Sequence, residues 1–595
     1  MKTELTLLRK AMQEQGIDVY LITMDDDHQS EYVGDHYKEI RLISGFTGSA
    51  GRLVVTMDEA GLWTDGRYFV QAEKELSESG IRLMRMGRTE TPDIMDYIAE
   101  KVPEGGRLGL NGRCTAYLEA VSLKERLEAK GAELVSDTDL PADFWEDRPK
   151  KAAEPIFILE ENFAGESTAS KIERLRAELQ RLAAKVHIIT SLDDIAWLLN
   201  LRGDDIAYNP VFRSFLIIDG ESIRLYLDKE HLTEEVSDYL SRLGVSVDTE
   251  EEHFYEAVKG LKEGPVLIES GKINAACGFA ISKELKLIDR MMPTTLMKAK
   301  KNKTEMANLK KAHLKDGLAL THFMYWFKEN VASGELTEWG CVEKLHEFRA
   351  QNEGFLGESF STISAYGANA AMCHYSPSME HDTPIAPKGL YLVDSGGQYY
   401  EGTTDVTRTW SCGPVTDEER TSLTLSVIAN MRLADARFLE GTGGAALDYI
   451  AREPFWRRGL NFDHGTGHGV GYLLNVHERP VGIRYKAVPE RQDQYPFSEG
   501  MFVSDEPGLY IEGSHGVRTE NMLMCMNDYS NSYGQFCRFE AYTLCPIDKY
   551  ALDTSIMEER DKELLNAYHK KVWEELGPHM EGKEKEWLKD MCEPL

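Results

Sequence analysis

The clearest pattern of apolar and polar positions runs from Leu390 to Trp410. Leu390 to Val393 is apolar and ends on Asp394, and Gly396-Gly397 and Glu401-Gly402 supply the backbone freedom for turns. Thr403 to Trp410 then alternates, with Asp405, Thr407 and Thr409 on one face and Thr404, Val406, Arg408 and Trp410 on the other. This predicts a hairpin-like pair with one carboxylate at the end of the first strand and one inside the second. A later stretch has the same layout. Phe502-Val503-Ser504-Asp505-Glu506-Pro507-Gly508 reaches a Glu512-Gly513 turn and returns as Gly516-Val517-Arg518-Thr519-Glu520-Asn521. Pro507 denies a ladder hydrogen bond directly after Glu506, as expected at a strand end.

Helical and strand-like segments alternate before these hairpins. Leu5 to Gln15 has helical spacing, Asp18 to Ile22 reads as a strand, and Leu42 to Phe69 as a small sheet. Gly48-Ser49-Ala50-Gly51 lacks the glycine two before the serine that a nucleophile elbow needs, and reads as a turn. Pro141 to Pro155, rich in Pro, Lys and Glu, reads as a linker. The order then repeats: Val186 to Ile189 mirrors Val19 to Ile22, Ile195 to Gly203 stands where Arg41 to Gly45 stood, and Phe215 to Asp219 turns at Gly220 into Ile223 to Asp228. Duplication of one α/β domain is the expectation. Met297-Lys298-Ala299-Lys300-Lys301-Asn302-Lys303 is expected to be a solvated basic connector. Helices are predicted over Thr304 to Val331, over Thr416 to Phe438 behind a Thr416-x-x-Glu419 capping box, and over Met557 to Lys589. The texture after Thr304 is α+β, with antiparallel strands packed by helices.

A chain of 595 residues is too long for one core. The expected domains are 1–152, 153–300 and 301–595. With 68 Lys and Arg against 100 Asp and Glu, the formal charge is −32. That surface argues against nucleic acid and anionic membranes as partners and suits metal ions and peptides with a free amino terminus. The nine cysteines form no C-x-x-C pair and are odd in number, the usage of a reducing compartment. The amino terminus lacks the apolar core of a signal peptide and no run approaches a membrane span, so the expected location is the cytoplasm.

Aspartate is disfavoured in strands, so Asp394 and Asp405 flanking one turn need a reason. Either they share a cation or both cap turns. Asp463-His464-Gly465-Thr466-Gly467-His468-Gly469-Val470-Gly471 has glycines at alternate positions, which fails the G-x-G-x-x-G spacing of a dinucleotide site. Its glycines permit close backbone approach around His468. Taken singly, each of these residues also fits a structural role.

Taken in the order Asp394, Asp405, His468, Glu506, Glu520, with His28-Gln29-Ser30-Glu31-Tyr32, Ser44-Gly45-Phe46-x-Gly48-Ser49-Ala50-Gly51, Trp63 to Phe69, Leu192-Asp193-x-Ile195-Ala196-Trp197-Leu198, Tyr208 to Phe212, His464 to Gly471 and Ser504 to Gly508, the sequence resembles the pita-bread metallopeptidases. Within them it is most similar to the Xaa-Pro aminopeptidase (aminopeptidase P) family in its long three-domain cytosolic form. The resemblance spans nearly the whole chain and departs at no ligand position. It implies two creatinase-like α/β domains followed by a pita-bread α+β catalytic domain. It also implies a dinuclear centre in which Asp405 and Glu520 bridge, Asp394 holds one metal, and His468 with Glu506 holds the other. Hard oxygen ligands with one nitrogen suit two Mn²⁺, with Co²⁺, Fe²⁺ or Zn²⁺ chemically possible.

A hydroxide between the metals is the implied nucleophile, with Glu506 as proton shuttle. His374 and His477 are the implied catalytic and substrate contacts, stabilising the oxyanion and the leaving nitrogen. His464 would shape the proline pocket, and Arg518 would orient Glu520 and the substrate. The resemblance also places Arg67 at the substrate and lets Glu31 meet a substrate amine, with a surface salt bridge as the alternative for both. The Xaa-Pro bond is a tertiary amide without an N–H, so such an enzyme reads the ring and the free amine. The implied function is release of the first residue from peptides with penultimate proline, by a homodimer. The alternatives are a prolidase acting on dipeptides, a methionine aminopeptidase, a metal-free creatinase relative, and an inactive pita-bread binding protein.

Overall fold

In the computed structural model residues 3–220, 222–486 and 493–595 are described. Contacts divide the chain into two compact units, Met1–Leu159 with Glu166–Thr295, and Glu160–Gly165 with Leu296–Leu595.

The first unit contains the same sheet twice. Strands β1 (Val19–Thr23), β2 (Arg52–Thr56), β3 (Ala60–Thr64), β4 (Arg82–Arg85), β5 (Arg107–Leu110) and β6 (Glu133–Val135) lie in the order β4-β3-β2-β1-β5-β6. Strands β7 (Val186–Ile189), β8 (Ser214–Asp219), β9 (Ser222–Leu227), β10 (Val245–Asp248), β11 (Val266–Ile268) and β12 (Leu287–Asp289) lie in the order β10-β9-β8-β7-β11-β12. In both, the three strands of the meander are antiparallel and the outer pairings parallel. The duplication expected from the pattern is therefore present in the topology. Equivalent short helices end alike: Glu39–Ser44 at Gly45 with φ 80°, and Leu192–Leu199 at Asn200 with φ 51°, the two residue types that tolerate a left-handed cap. The Pro141–Pro155 passage has no strand, and two of its cations are held: Arg148 pairs with Glu39 and Asp139, and Lys151 with Asp27 and Glu251. Ser49 Oγ lies 2.6 Å from Tyr68 OH in a turn, as its sequence context indicates.

The second unit carries four helices that frame the strands: α1 (Lys303–Asn330), α2 (Glu338–Ala350), α3 (Asp417–Ala434) and α4 (Gly444–Trp456). Helix α3 begins with the expected capping box between Thr416 and Glu419, and α1 with one between Asn302 and Glu305. The tail is two helices, Glu559–Leu576 and Gly582–Met591, rather than one. Gly577-Pro578 separates them, because proline has no N–H to continue the ladder.

Strands β13 (Ile363–Tyr366), β14 (Leu390–Ser395) and β15 (Val406–Ser411) form one antiparallel sheet, with Asp394 opposite Thr407. A second sheet orders β16 (Arg437–Leu439), β17 (Gly467–Gly469), β18 (Glu478–Ile483), β19 (Phe502–Asp505), β22 (Asn521–Asn531) and β23 (Gly534–Ala541) as β16-β23-β22-β19-β17-β18. Among the described residues, strands β20 (Gly508–Ile511) and β21 (His515–Arg518) pair only with each other.

The later hairpin therefore differs from its expected form. Asp505 pairs with Asn521 in the large sheet, and the chain then leaves that sheet to make the β20–β21 hairpin. Glu506 and Glu520 fall at the two departures, outside any strand, and Asp405 likewise stands immediately before β15. Strand ends release side chains from the pleat, so carboxylates unwelcome within a strand are accommodated there.

The basic connector is also not solvated throughout. Lys298 and Lys301 are buried and both pair with Glu478: Lys298 Nζ stands 3.4 Å from its Oε2, and Lys301 Nζ binds its Oε1. Lys301 N also donates to Gly500 O, and Lys300 bridges Met501 at the root of β19. The segment is woven into the sheet, and a buried ammonium persists where a carboxylate meets it.

Candidate metal centre and its histidines

Backbone hydrogen bonds bring three distant stretches together. Glu520 N donates to Thr407 O at 3.1 Å, joining the later hairpin to the earlier one, and Glu506 N donates to Thr466 O at 2.8 Å, joining it to the glycine-rich segment. His468 N donates to Ser504 Oγ at 3.0 Å. Gly467 packs so tightly on the Ser504 carbonyl that any Cβ there would collide with it. That is a physical reason for a glycine beside His468.

The side chains converge accordingly. Asp405, His468 and Glu520 offer ligand atoms all within 4.8 Å of one another. His468 Nε2 lies 3.5 Å from Asp405 Oδ2 and 3.5 Å from Glu506 Oε1. Asp394 joins through Arg518, whose Nη2 donates to its Oδ2 at 2.6 Å, while the buried Oδ1 has no hydrogen-bond partner among the described residues. Thr407 Oγ1 donates to Glu520 Oε2 at 2.7 Å and accepts from Arg518 Nε at 3.1 Å, so it faces the same cluster as Asp405, as the alternation indicates.

The cluster is electrostatically costly for protein groups alone. Burial, and then the charges of Glu520, Asp394 and Glu506, hold the Asp405 carboxyl well above the usual range. Burial, Asp394 and Glu506 do the same to Glu520. Glu506 is pushed up to about 7 by burial, against the pull of Arg518 and with the Asp394 charge adding. Buried carboxylates this close are costly as anions unless cations accompany them. Arg518 supplies one positive charge for four carboxylates. Two divalent cations would reverse the remaining sum to a single positive charge, and an orphaned Asp394 oxygen is a vacant donor. Four carboxylates and one imidazole thus fit a pair of hard or borderline divalent metals.

The expected substrate-contacting histidines lie around this cluster. His477 packs edge-on against His468, with ring centroids 4.3 Å apart. His464 Nδ1 is 3.9 Å from Glu506 Oε2, and its Nε2 is 2.8 Å from Tyr510 OH. His374 sits on the connection between β13 and β14, and the carbonyl of its neighbour Cys373 is 3.4 Å from Arg518 Nη2. Arg67 and Glu31 belong to the first unit. There the Arg67 guanidinium makes two hydrogen bonds to Asp65, at 2.8 and 2.7 Å, and Glu31 is exposed.

Several supporting residues are not evident from motif reading. Tyr510 OH accepts from Arg518 Nη1 at 2.6 Å, and Ser504 Oγ lies 3.3 Å from Glu506 Oε1. Arg452, on α4, donates to the carbonyls of Phe462 and His464 at 2.6 Å each and to Asp448 at 2.7 Å, and so braces the glycine-rich segment. The i, i+4 spacing of Asp448 and Arg452 is the sequence signal for that pair, and it becomes legible only once the helix Gly444–Trp456 is seen.

Residues 5–141 and 147–305 each match the creatinase/prolidase N-terminal domain, residues 307–527 match metallopeptidase family M24, and residues 535–595 match the C-terminal region of peptidase M24. A probable Xaa-Pro aminopeptidase P of Tuber melanosporum is 38% identical, with 100% of this chain and 99% of that protein covered. The chain belongs to metallopeptidase family M24, among its Xaa-Pro aminopeptidase P members. The X-prolyl aminopeptidase of Caenorhabditis elegans, described as a cytosolic enzyme with a di-nuclear active site, superposes with a TM-score of 0.95 at 32% identity over 100% of both chains. The Xaa-Pro dipeptidase of Bacillus anthracis, at 22% identity and a TM-score of 0.50, shares the fold with 64% of this chain and 99% of its own. The two creatinase-like N-terminal domains and the M24 domain expected from the sequence are thus present.

Proposed function

We propose that the chain is a metal-dependent aminopeptidase that hydrolyses the peptide bond between an N-terminal residue and a proline in second position. The carrying observation is the convergence of Asp394, Asp405, His468, Glu506 and Glu520 in a chain that aligns from end to end with Xaa-Pro aminopeptidases P. Asp405 and Glu520 would bridge two cations, Asp394 would complete one site, and His468 with Glu506 the other. When bound, the cations supply Lewis-acid polarisation of the scissile carbonyl and an acidified water. The donor set of oxygens with one nitrogen favours Mn²⁺.

The protein's own groups do the remaining work. Glu506, whose Oε1 lies 3.5 Å from His468 Nε2, is placed to take a proton from the attacking water and pass it to the departing proline nitrogen. That nitrogen needs a proton to leave and, once the bond is broken, belongs to a secondary amine. His477 and His374 offer ring N–H groups to the tetrahedral oxygen and the leaving group. His464, flanked by a tilted Phe462 ring and an edge-on Tyr510 ring with centroids at 4.9 and 5.4 Å, forms an aromatic wall suited to a pyrrolidine ring.

Oligomer and location complete the proposal. The exposed aromatic group Tyr449, Trp456 and Tyr485, with neighbouring centroids 6.0 and 5.5 Å apart, supports a homodimer. The cysteines form no disulfide, which supports the cytoplasm, and no helix of the described residues is long and apolar enough to cross a membrane. The test uses metal-stripped protein, an Xaa-Pro-Xaa tripeptide, an Xaa-Pro dipeptide and a tripeptide without proline, before and after Mn²⁺. Metal-dependent cleavage of the Xaa-Pro tripeptide is expected. Preference for the dipeptide would make the enzyme a prolidase, and activity untouched by chelation would remove the metal mechanism.

A further inference from the structure

The connection between β13 and β14 carries His374 and is long, yet three of its parts are gathered on a single buried carboxylate. Glu338 is the first residue of α2, and its side chain is fully buried. Its Oε1 accepts from Tyr366 N at 2.6 Å, where the connection begins, and its Oε2 accepts from Tyr375 OH at 2.7 Å, directly after His374. Midway, Asn369 Nδ2 lies 3.1 Å from both carboxylate oxygens and 3.2 Å from Tyr375 OH. The returning limb ties to the same helix turn: Glu338 N donates to Thr383 O at 3.0 Å, and Trp339 N to Asp382 Oδ1 at 2.8 Å.

On its other side the connection meets the metal cluster. Gly516 has no space for a Cβ against the Ala370 carbonyl, and Arg518 reaches the Cys373 carbonyl. The segment holding His374 is thus fixed between Arg518, which also holds Asp394, and Glu338. A buried carboxylate that accepts several hydrogen bonds is a rigid anchor, and truncating it would leave donors unsatisfied. Sub-ångström placement of a group that touches the reacting atoms controls rate steeply.

We infer that Glu338 is a positioning residue for His374, acting through Tyr366, Asn369 and Tyr375 without touching substrate, an inference that rests on His374 contacting substrate in the reaction proposed above. The test is a double-mutant cycle on the metal-loaded, full-length enzyme with an Xaa-Pro-Xaa peptide, comparing Glu338→Gln, Tyr375→Phe, His374→Ala and each pairwise combination with His374→Ala. Glu338→Gln is expected to lower kcat by about 10- to 100-fold with bound metal unchanged, and Tyr375→Phe by less. On the His374→Ala background either change is expected to cost less than about twofold, because the group being positioned is gone. Full multiplication of the two losses, or an unchanged kcat in both single variants, overturns the inference. If Glu338→Gln does not fold, Tyr375→Phe alone completes the cycle. A wild-type enzyme inactive on the peptide refutes the proposed function instead, so the two failures are distinct.

Discussion

Arg518 Nη2 lies 2.6 Å from Asp394 Oδ2 in a buried pair. The same guanidinium donates to Tyr510 OH, Thr407 Oγ1 and Cys373 O, so one planar fork spans a carboxylate, a phenol, a hydroxyl and a carbonyl. A lysine keeps the charge but lacks that geometry. Arg518→Lys is therefore expected to weaken metal binding by about 10- to 100-fold. Arg518→Ala is expected to cost the metal-free protein about 3 kcal/mol by leaving Asp394 unpaired. Calorimetric metal titration and thermal scans of both variants measure these effects, and wild-type affinity in Arg518→Lys would refute the first.

Asp405 stands 3.5 Å from His468 Nε2 and shares a cluster with Glu520. Asp405→Asn removes a charge at nearly constant shape. In the proposed site it is expected to reduce bound metal from two per chain to one or none, and kcat by about 10³-fold, the equivalent of about 4 kcal/mol of transition-state stabilisation. Elemental analysis of dialysed protein, paired with peptide kinetics, gives both numbers. Retention of two metals would mean that Asp405 is not a bridge.

The legible part of this site is what local pattern dictates. Alternation along Thr403 to Trp410 puts Asp405 and Thr407 on one face, and Thr407 does reach Glu520 and Arg518. The helix start at Thr416 is likewise written in its capping box. The repeated strand, turn, strand order gives the duplicated sheets.

Long-range pairings are not written locally. Glu506 and Glu520 lie at exits from a sheet rather than in a hairpin, because β19 pairs with β22 across the excursion. Lysines in a polar connector look solvated until Glu478, 180 positions from Lys298, is folded against them. Glu338 looks like any acidic residue favouring a helix N-terminus until Tyr366 and Tyr375 donate to it.

The raised carboxyls make metal binding a proton-linked event. In the metal-free protein Asp405, Glu506 and Glu520 have folded-state pKa values above their unfolded ones, that of Glu506 about 7. Their contribution to stability is therefore fully present below the unfolded carboxylate range and is lost as pH rises through the folded values. The metal-free protein is expected to lose thermal stability between about pH 5 and 8 on account of this cluster, while the stabilisation given by saturating Mn²⁺ grows over the same window as protons are displaced. Paired thermal scans with chelator and with Mn²⁺ at stepped pH measure both trends. A metal-induced shift independent of pH would contradict the linkage.

Glu478 follows His477 in sequence, opposes Gly469 in the strand pairing, and sits between two buried ammonium groups. Glu478→Ala leaves Lys298 and Lys301 without their carboxylate in the interior, a change that typically costs about 3–5 kcal/mol. Lys300, between them in sequence but exposed, serves as the control, and Lys300→Ala is expected to change stability by no more than about 0.5 kcal/mol. Because the same clamp holds the strand that His477 leads into, Glu478→Gln, which preserves shape while removing the charge, is expected to lower kcat as well. Thermal scans and peptide kinetics on the three variants separate these effects. A Glu478→Ala protein as stable as Lys300→Ala would mean that the ammonium groups find water or other acceptors, and that the connector contributes nothing to holding the catalytic sheet.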